Sequence, residues 1–155
     1  MGRPARGEGG AALVEFAICL PFLAAIVLGT LDLGRAFIIS EQAKSAAREG
    51  AAYAARFPGR QVASGLTCAD PDTIVWHANN ESGRTFAILV NRATPTCTTA
   101  LTGSLAPGNP ITVTASTSFT AFTPLAARFI GATPKISASV CVNIAGATPN
   151  GNTCP

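Results

Sequence analysis

Residues 11–31, AALVEFAICLPFLAAIVLGTL, constrain this chain more than any other stretch. They comprise 21 residues with a single charge, Glu15. As an α-helix the run would reach about 31 Å at 1.5 Å per residue, matching the roughly 30 Å hydrocarbon core of a bilayer. A helix apolar on every side offers no face to water, and a chain this short has no core large enough to swallow it. The sequence therefore predicts a membrane-spanning helix. Glu15 is the anomaly within it. An acid at the centre of such a helix costs on the order of 3 kcal/mol; near the end it costs less but still needs a partner.

The flanks set the topology. Residues 1–10, MGRPARGEGG, are expected to be a short cytoplasmic leader without regular structure. Basic residues before an apolar run also open secretory signal peptides. Here the run is longer than a signal core, carries Glu15, and is not followed by an A-x-A-like site. Flanking charge does not orient the helix, because Arg35, Lys44 and Arg48 beyond its far end outnumber Arg3 and Arg6. The cysteines do. Of five, Cys19 lies in the apolar run, where a thiol behaves as a small apolar group. Cys68, Cys97, Cys141 and Cys154 lie beyond it, in a Thr-, Ser- and Pro-rich setting that reads as two disulfides rather than a metal site. Disulfides imply an oxidising compartment, so the C-terminal part is expected to lie outside the cytoplasm. Spacing does not choose among the three pairings. The reading favours Cys68–Cys97 and Cys141–Cys154, since the second would close the C-terminal tail onto the last strand.

Nothing firmly stops a helix between residue 31 and the Pro58-Gly59 pair, so residues 32–57 are expected to continue it outside the membrane. Asp32 with Arg35, and Glu41 with Lys44, are spaced as i, i+3 ion pairs. Ala43, Ala47, Ala51 and Ala55 form a smooth stripe that could receive either the protein's own domain or a neighbouring subunit. Pro21 should kink or loosen the membrane part. Residues 60–155 read as a small exported α+β domain. Asp70-Pro71-Asp72 offers a helix start and Gly83 a stop, the alternative being a strand through Ile74, Val75 and Trp76; the helix is favoured. Residues 85–91 are compatible with a strand. Residues 111–119 and 136–144 alternate apolar with Thr or Ser and read as half-buried strands. The expected fold class is thus α+β: a long N-terminal membrane helix, then a small antiparallel sheet of about three strands stapled by disulfides.

Signs of catalysis are missing. His77, the sole histidine, sits beside Trp76 and reads as structural; no nucleophile elbow, phosphate loop, H-E-x-x-H or paired C-x-x-C occurs. The expectation is no enzyme, no cofactor and no metal. Net charge is +3, with basic residues scattered rather than interleaved with aromatics, which argues against a nucleic-acid partner.

The junction GG–AALVEF adds a resemblance. Gly10, four mostly apolar residues from Ala11 to Val14, then Glu15 and Phe16 opening a membrane helix are similar to the prepilin-peptidase site of type IV pilins. The continuation, VEFAICLPFLAAIVLGTLDLGRA and then AAREGAAYAARF, resembles the TadE-like family of minor pseudopilins in the tight-adherence (Tad or Flp) pilus system. It covers about residues 7–57; beyond residue 60 it is loose. The resemblance implies cleavage after Gly10 by a prepilin peptidase and work in pilus assembly. Its implied partners are that peptidase, other pilin-like subunits, the inner-membrane assembly platform and the lipid bilayer. Competing readings are an unprocessed single-pass protein with an exported ligand- or surface-binding domain, and a pseudopilin of a secretion or DNA-uptake machine.

Overall fold

The computed structural model describes residues 8–58, 68–91, 106–123, 128, 131, 133–146 and 154. In chain order it contains helix α1 (Glu8–Arg56), helix α2 (Ile74–Ser82) and strands β1 (Ala87–Val90), β2 (Pro110–Ser118) and β3 (Lys135–Asn143). The chain divides into two compact units. One joins Met1–Arg35 to Thr120–Thr133; the other joins Ala36–Phe119 to Pro134–Pro155.

In the first unit, α1 carries the apolar run with none of its most hydropathic window buried by the chain, and Leu13, Phe16, Phe22, Ile26 and Leu31 all stand exposed. It is the one helix among the described residues long and apolar enough to cross a membrane. Pro21 lies inside it. The helix begins at Glu8, so Gly9 and Gly10 are helical where the sequence predicted no regular structure. Once residues 11 onward supply a formed helix, adding a residue costs only its own propensity, about 1 kcal/mol for glycine relative to alanine.

The second unit is a helix-backed sheet. β2 is central, paired antiparallel to β1 (Ile88 opposite Ala115, Val90 opposite Val113) and to β3 (Val113 opposite Val140, Ala115 opposite Ala138). The alternation read from the sequence holds: Ile111, Val113 and Ala115 are buried, while Thr114 and Ser139 share a hydroxyl–hydroxyl hydrogen bond of 2.7 Å on the other face. The core joins these residues to Ile88 and Val90, to Ile74 and Ala78 of α2, and to Ala43, Ala46, Ala47, Ala51 and Ala54 of α1. The alanine stripe is therefore covered by the protein's own domain along most of its length. Its tightest point is Gly50. A Cβ there would lie 3.1 Å from both Ala78 Cβ and Val113 Cγ1. The segment just past β3 partners the end of α1: the Ala145 N–H donates to the Ala55 carbonyl at 2.9 Å, one of the carbonyls every helix leaves open at its C-terminus.

Helix α2 starts later than the Asp70-Pro71-Asp72 signal suggests. Its N-cap is Thr73, whose hydroxyl accepts from the Trp76 N–H at 3.2 Å and donates to the Asp70 carbonyl at 2.9 Å. Asp70 serves the turn before the helix, and Thr73 has the extended backbone an N-cap requires. Gly83 ends α2 with φ +64°, as its position predicts. The Asn79 side-chain oxygen then accepts from the Phe86 N–H at 2.8 Å, just ahead of β1.

Cys141 and Cys154 form a disulfide across a sequence separation of 13, tying the tail to β3. A loop of that length contributes roughly 3 kcal/mol by chain entropy. Cys68 is also disulfide-bonded. Cys97, the partner expected for it, lies outside the described residues.

Gly50→Leu keeps helix propensity high while forcing a branched side chain into the α2–β2 contact. We expect it to destabilise the domain by about 1–3 kcal/mol, the usual cost of overpacking. Thermal unfolding in detergent, followed by near-ultraviolet circular dichroism, measures this; an unchanged midpoint would mean that α1 does not sit so close.

Candidate processing and assembly site

Gly10, Ala11, Glu15 and Phe16 all lie in the first turns of α1 and are solvent-exposed. Helical spacing groups them differently from their order in the chain. Ala12, Glu15, Phe16 and Cys19 share one face and line a shallow surface depression, with Cys19 a free, exposed thiol. The sequence treats Cys19 only as a filler of the apolar run, and its i, i+4 spacing from Glu15 was the signal that the two share a face. Ala11 and Glu15 are one turn apart, about 6 Å along the axis. Among the described residues nothing lies within 4 Å of where a Gly10 Cβ would stand. The Gly10–Ala11 bond sits in the first turn of the helix, so a protease that needs extended backbone must unwind that turn. Few hydrogen bonds oppose it, because the first four N–H groups of a helix have no intrahelical partner.

The second feature is a joint that sequence reasoning missed. Asp32, read as half of an i, i+3 pair with Arg35, is buried and committed to a turn some ninety residues away in sequence. Its Oδ1 accepts from the Phe122 N–H at 2.9 Å; its Oδ2 accepts from the Thr123 N–H at 3.1 Å and the Thr123 hydroxyl at 2.8 Å. Arg35 keeps Nη1 3.9 Å from Asp32 Oδ1 and lays its guanidinium 4.0 Å from the Phe122 ring centroid. The Phe122 N–H does most to hold the Asp32 carboxyl below its ordinary value of 3.8; burial opposes it, and the Thr123 hydroxyl and N–H and the Arg35 charge act with it. The other expected pair, Glu41 with Lys44, forms at 2.7 Å on the exposed side of α1, where such a contact stabilises little.

Elsewhere, His77 stacks on Tyr53 (centroids 3.9 Å apart, planes at 21°) and meets Trp76 edge-on. Among the described residues no group of His, Cys, Asp and Glu could hold a metal ion.

The apolar run with its early acid, the Asp32–Arg35 motif and the alanine-rich stretch occur in one continuous segment of α1. Residues 10–52 match the family model described as TadE-like protein. The matched segment thus takes in the Gly10–Phe16 group, the helix side of the Asp32 joint and most of the buried alanine stripe, and stops before α2 and the sheet. No curated protein matches the chain, and no solved structure does.

The Asp32 joint has a signed pH dependence. A carboxyl whose folded value is depressed contributes its stabilisation above the unfolded value and loses it as pH falls through the folded one. The amide resonances of Phe122 and Thr123 should therefore titrate together with a midpoint below 3.8, the ordinary Asp value. Asp32→Ala should abolish that titration and speed hydrogen exchange at both amides. A midpoint above the ordinary value would show that burial outweighs the three hydrogen bonds.

Proposed function

We propose that this chain is a minor pilin-like protein of a Tad/Flp-type pilus system. In this reading it is anchored in the inner membrane by α1, cleaved after Gly10 by a prepilin peptidase, and needed for pilus assembly. The observation that carries it is the TadE-like match over residues 10–52, lying on a helix whose apolar run the chain itself leaves uncovered. An uncovered run suits lipid first and packing among filament subunits second. The Cys141–Cys154 bridge supports an exported location for its domain, and under this reading the N-terminus is cytoplasmic. Partners under this reading are the peptidase, other pilin-like subunits, the assembly platform and the bilayer.

Cleavage would free an amine at Ala11, at the positive end of the helix macrodipole and one turn from Glu15. The carboxylate offsets both the dipole and the new charge, and the amine gives an acid in apolar surroundings the cation it needs. That amine can belong to the same chain or to a neighbouring subunit. An unprocessed single-pass protein is the competing reading, and the helical Gly9–Gly10 favours it, since the bond to be cut is not presented extended.

Intact-mass analysis of membrane-extracted protein, from cells with active prepilin peptidase, separates the two. We expect loss of residues 1–10 from the wild type and retention of the leader in Gly10→Val. The space around Gly10 means that the substitution acts on the protease rather than on this protein's packing. A wild-type chain that keeps its leader would overturn the processing.

Glu15→Gln tests the pairing. It keeps shape and polarity but removes the charge, so we expect normal membrane insertion with pilus assembly lost. Piliation at the wild-type level would reduce Glu15 to an acid resting at the headgroup level.

A further inference from the structure

We infer that the turn at residues 121–123 is a membrane-interface anchor, pinned to α1 by Asp32 so that Phe122 enters the headgroup boundary of the leaflet at the C-terminal end of the span. Its occupant is lipid, and the inference rests on the reading of α1 as a membrane span.

Depth comes from the helix itself. Asp32 directly follows residue 31, the last of the apolar run. Cβ atoms on a helix tilt toward its N-terminus, so the carboxylate reaches back toward the apolar end. The Phe122 N–H stands 2.9 Å from that carboxylate, which fixes the turn at the same level.

The turn is also built inside out for a water-facing loop. Thr123, its polar member, and Asp32, which holds it, are only 9% and 4% exposed, whereas Phe122 is 74% exposed. Water would favour the reverse arrangement. The headgroup boundary favours what is seen, because the Phe122 and Thr123 N–H groups already have acceptors and pay no desolvation cost on entering an apolar layer. Arg35 completes the arrangement. Its guanidinium lies 4.0 Å from the ring centroid and its side chain is 42% exposed. Aromatic rings and long basic side chains gather in that layer.

The test uses the full chain in phosphatidylcholine vesicles brominated either near the headgroup or near the acyl-chain end. Trp76, the sole tryptophan, is first replaced by Phe. In that background Phe122→Trp reports on the turn and Phe22→Trp on the middle of the span. Tryptophan at 122 should be quenched more strongly by the shallow bromines, and tryptophan at 22 by the deep ones. Quenching at 22 with none at 122 overturns the anchor and leaves the span standing. Emission at 122 that is blue-shifted yet unquenched by either lipid puts the ring against protein, as in a subunit contact, and also overturns it. If neither position is quenched, the span reading fails and the anchor falls with it. Adding Asp32→Ala to the Phe122→Trp chain should reduce shallow quenching; full retention would overturn the pinning role of Asp32.

Discussion

How near a helix can come to a sheet is set by the side chains between them, and the described domain depends on keeping that gap small. Between Ala43 and Ala54 the buried face of α1 carries only methyl groups or, at Gly50, a hydrogen. That brings the helix onto α2 and β2 together, with the larger Ile74, Ile111, Val90 and Val113 supplying the bulk from the other side. Each such Ile or Val contributes about 1.5–3 kcal/mol on burial, but only if no space remains for water on the helix side. Among the described residues the sheet has three strands, and so small a sheet depends on packing its apolar face against a helix.

The same helix meets different demands along its length. Around Phe16 and Phe22 its side chains are large, apolar and exposed on all sides, whereas past Ile39 they are small on one face and polar on the other. Asp32 lies where the character changes. A buried carboxylate there would be a liability alone, but three donors from one turn make it a fastening whose strength depends on the group staying ionised.

Much of this was legible in the sequence, and the exceptions have a common cause. The apolar run, the end of α1 before Pro58, the αL cap at Gly83 and the alternation of β2 and β3 are written in windows of a few residues, and each was read correctly. Thr73 was missed because Asp70 and Asp72 advertise the same capping chemistry more loudly, and only the turn that Asp70 closes decides between them. The destination of the alanine stripe and the partner of Asp32 depend on residues far along the chain. At Asp32 the local signal is true but incomplete: the i, i+3 pair with Arg35 forms, and the stronger partners, Phe122 and Thr123, lie far along the chain. In the candidate site, the grouping of Ala12, Glu15, Phe16 and Cys19 follows from helical spacing alone, whereas the helical state of Gly9 and Gly10 contradicts their propensity and reflects the helix already formed beyond them.

The modest side chains on the buried face of α1 also matter before the fold exists. During synthesis the helix is complete before α2 and β2, the elements that meet Gly50, have been made, so this face is without their cover in the interval. A row of leucines left uncovered for that interval would recruit whatever apolar surface came first, including other copies of itself. A row of methyls attracts little until a partner of matching contour arrives. The close seat that gives the finished domain its stability thus also gives the nascent chain a quiet surface, and selectivity of folding comes from shape rather than from stickiness.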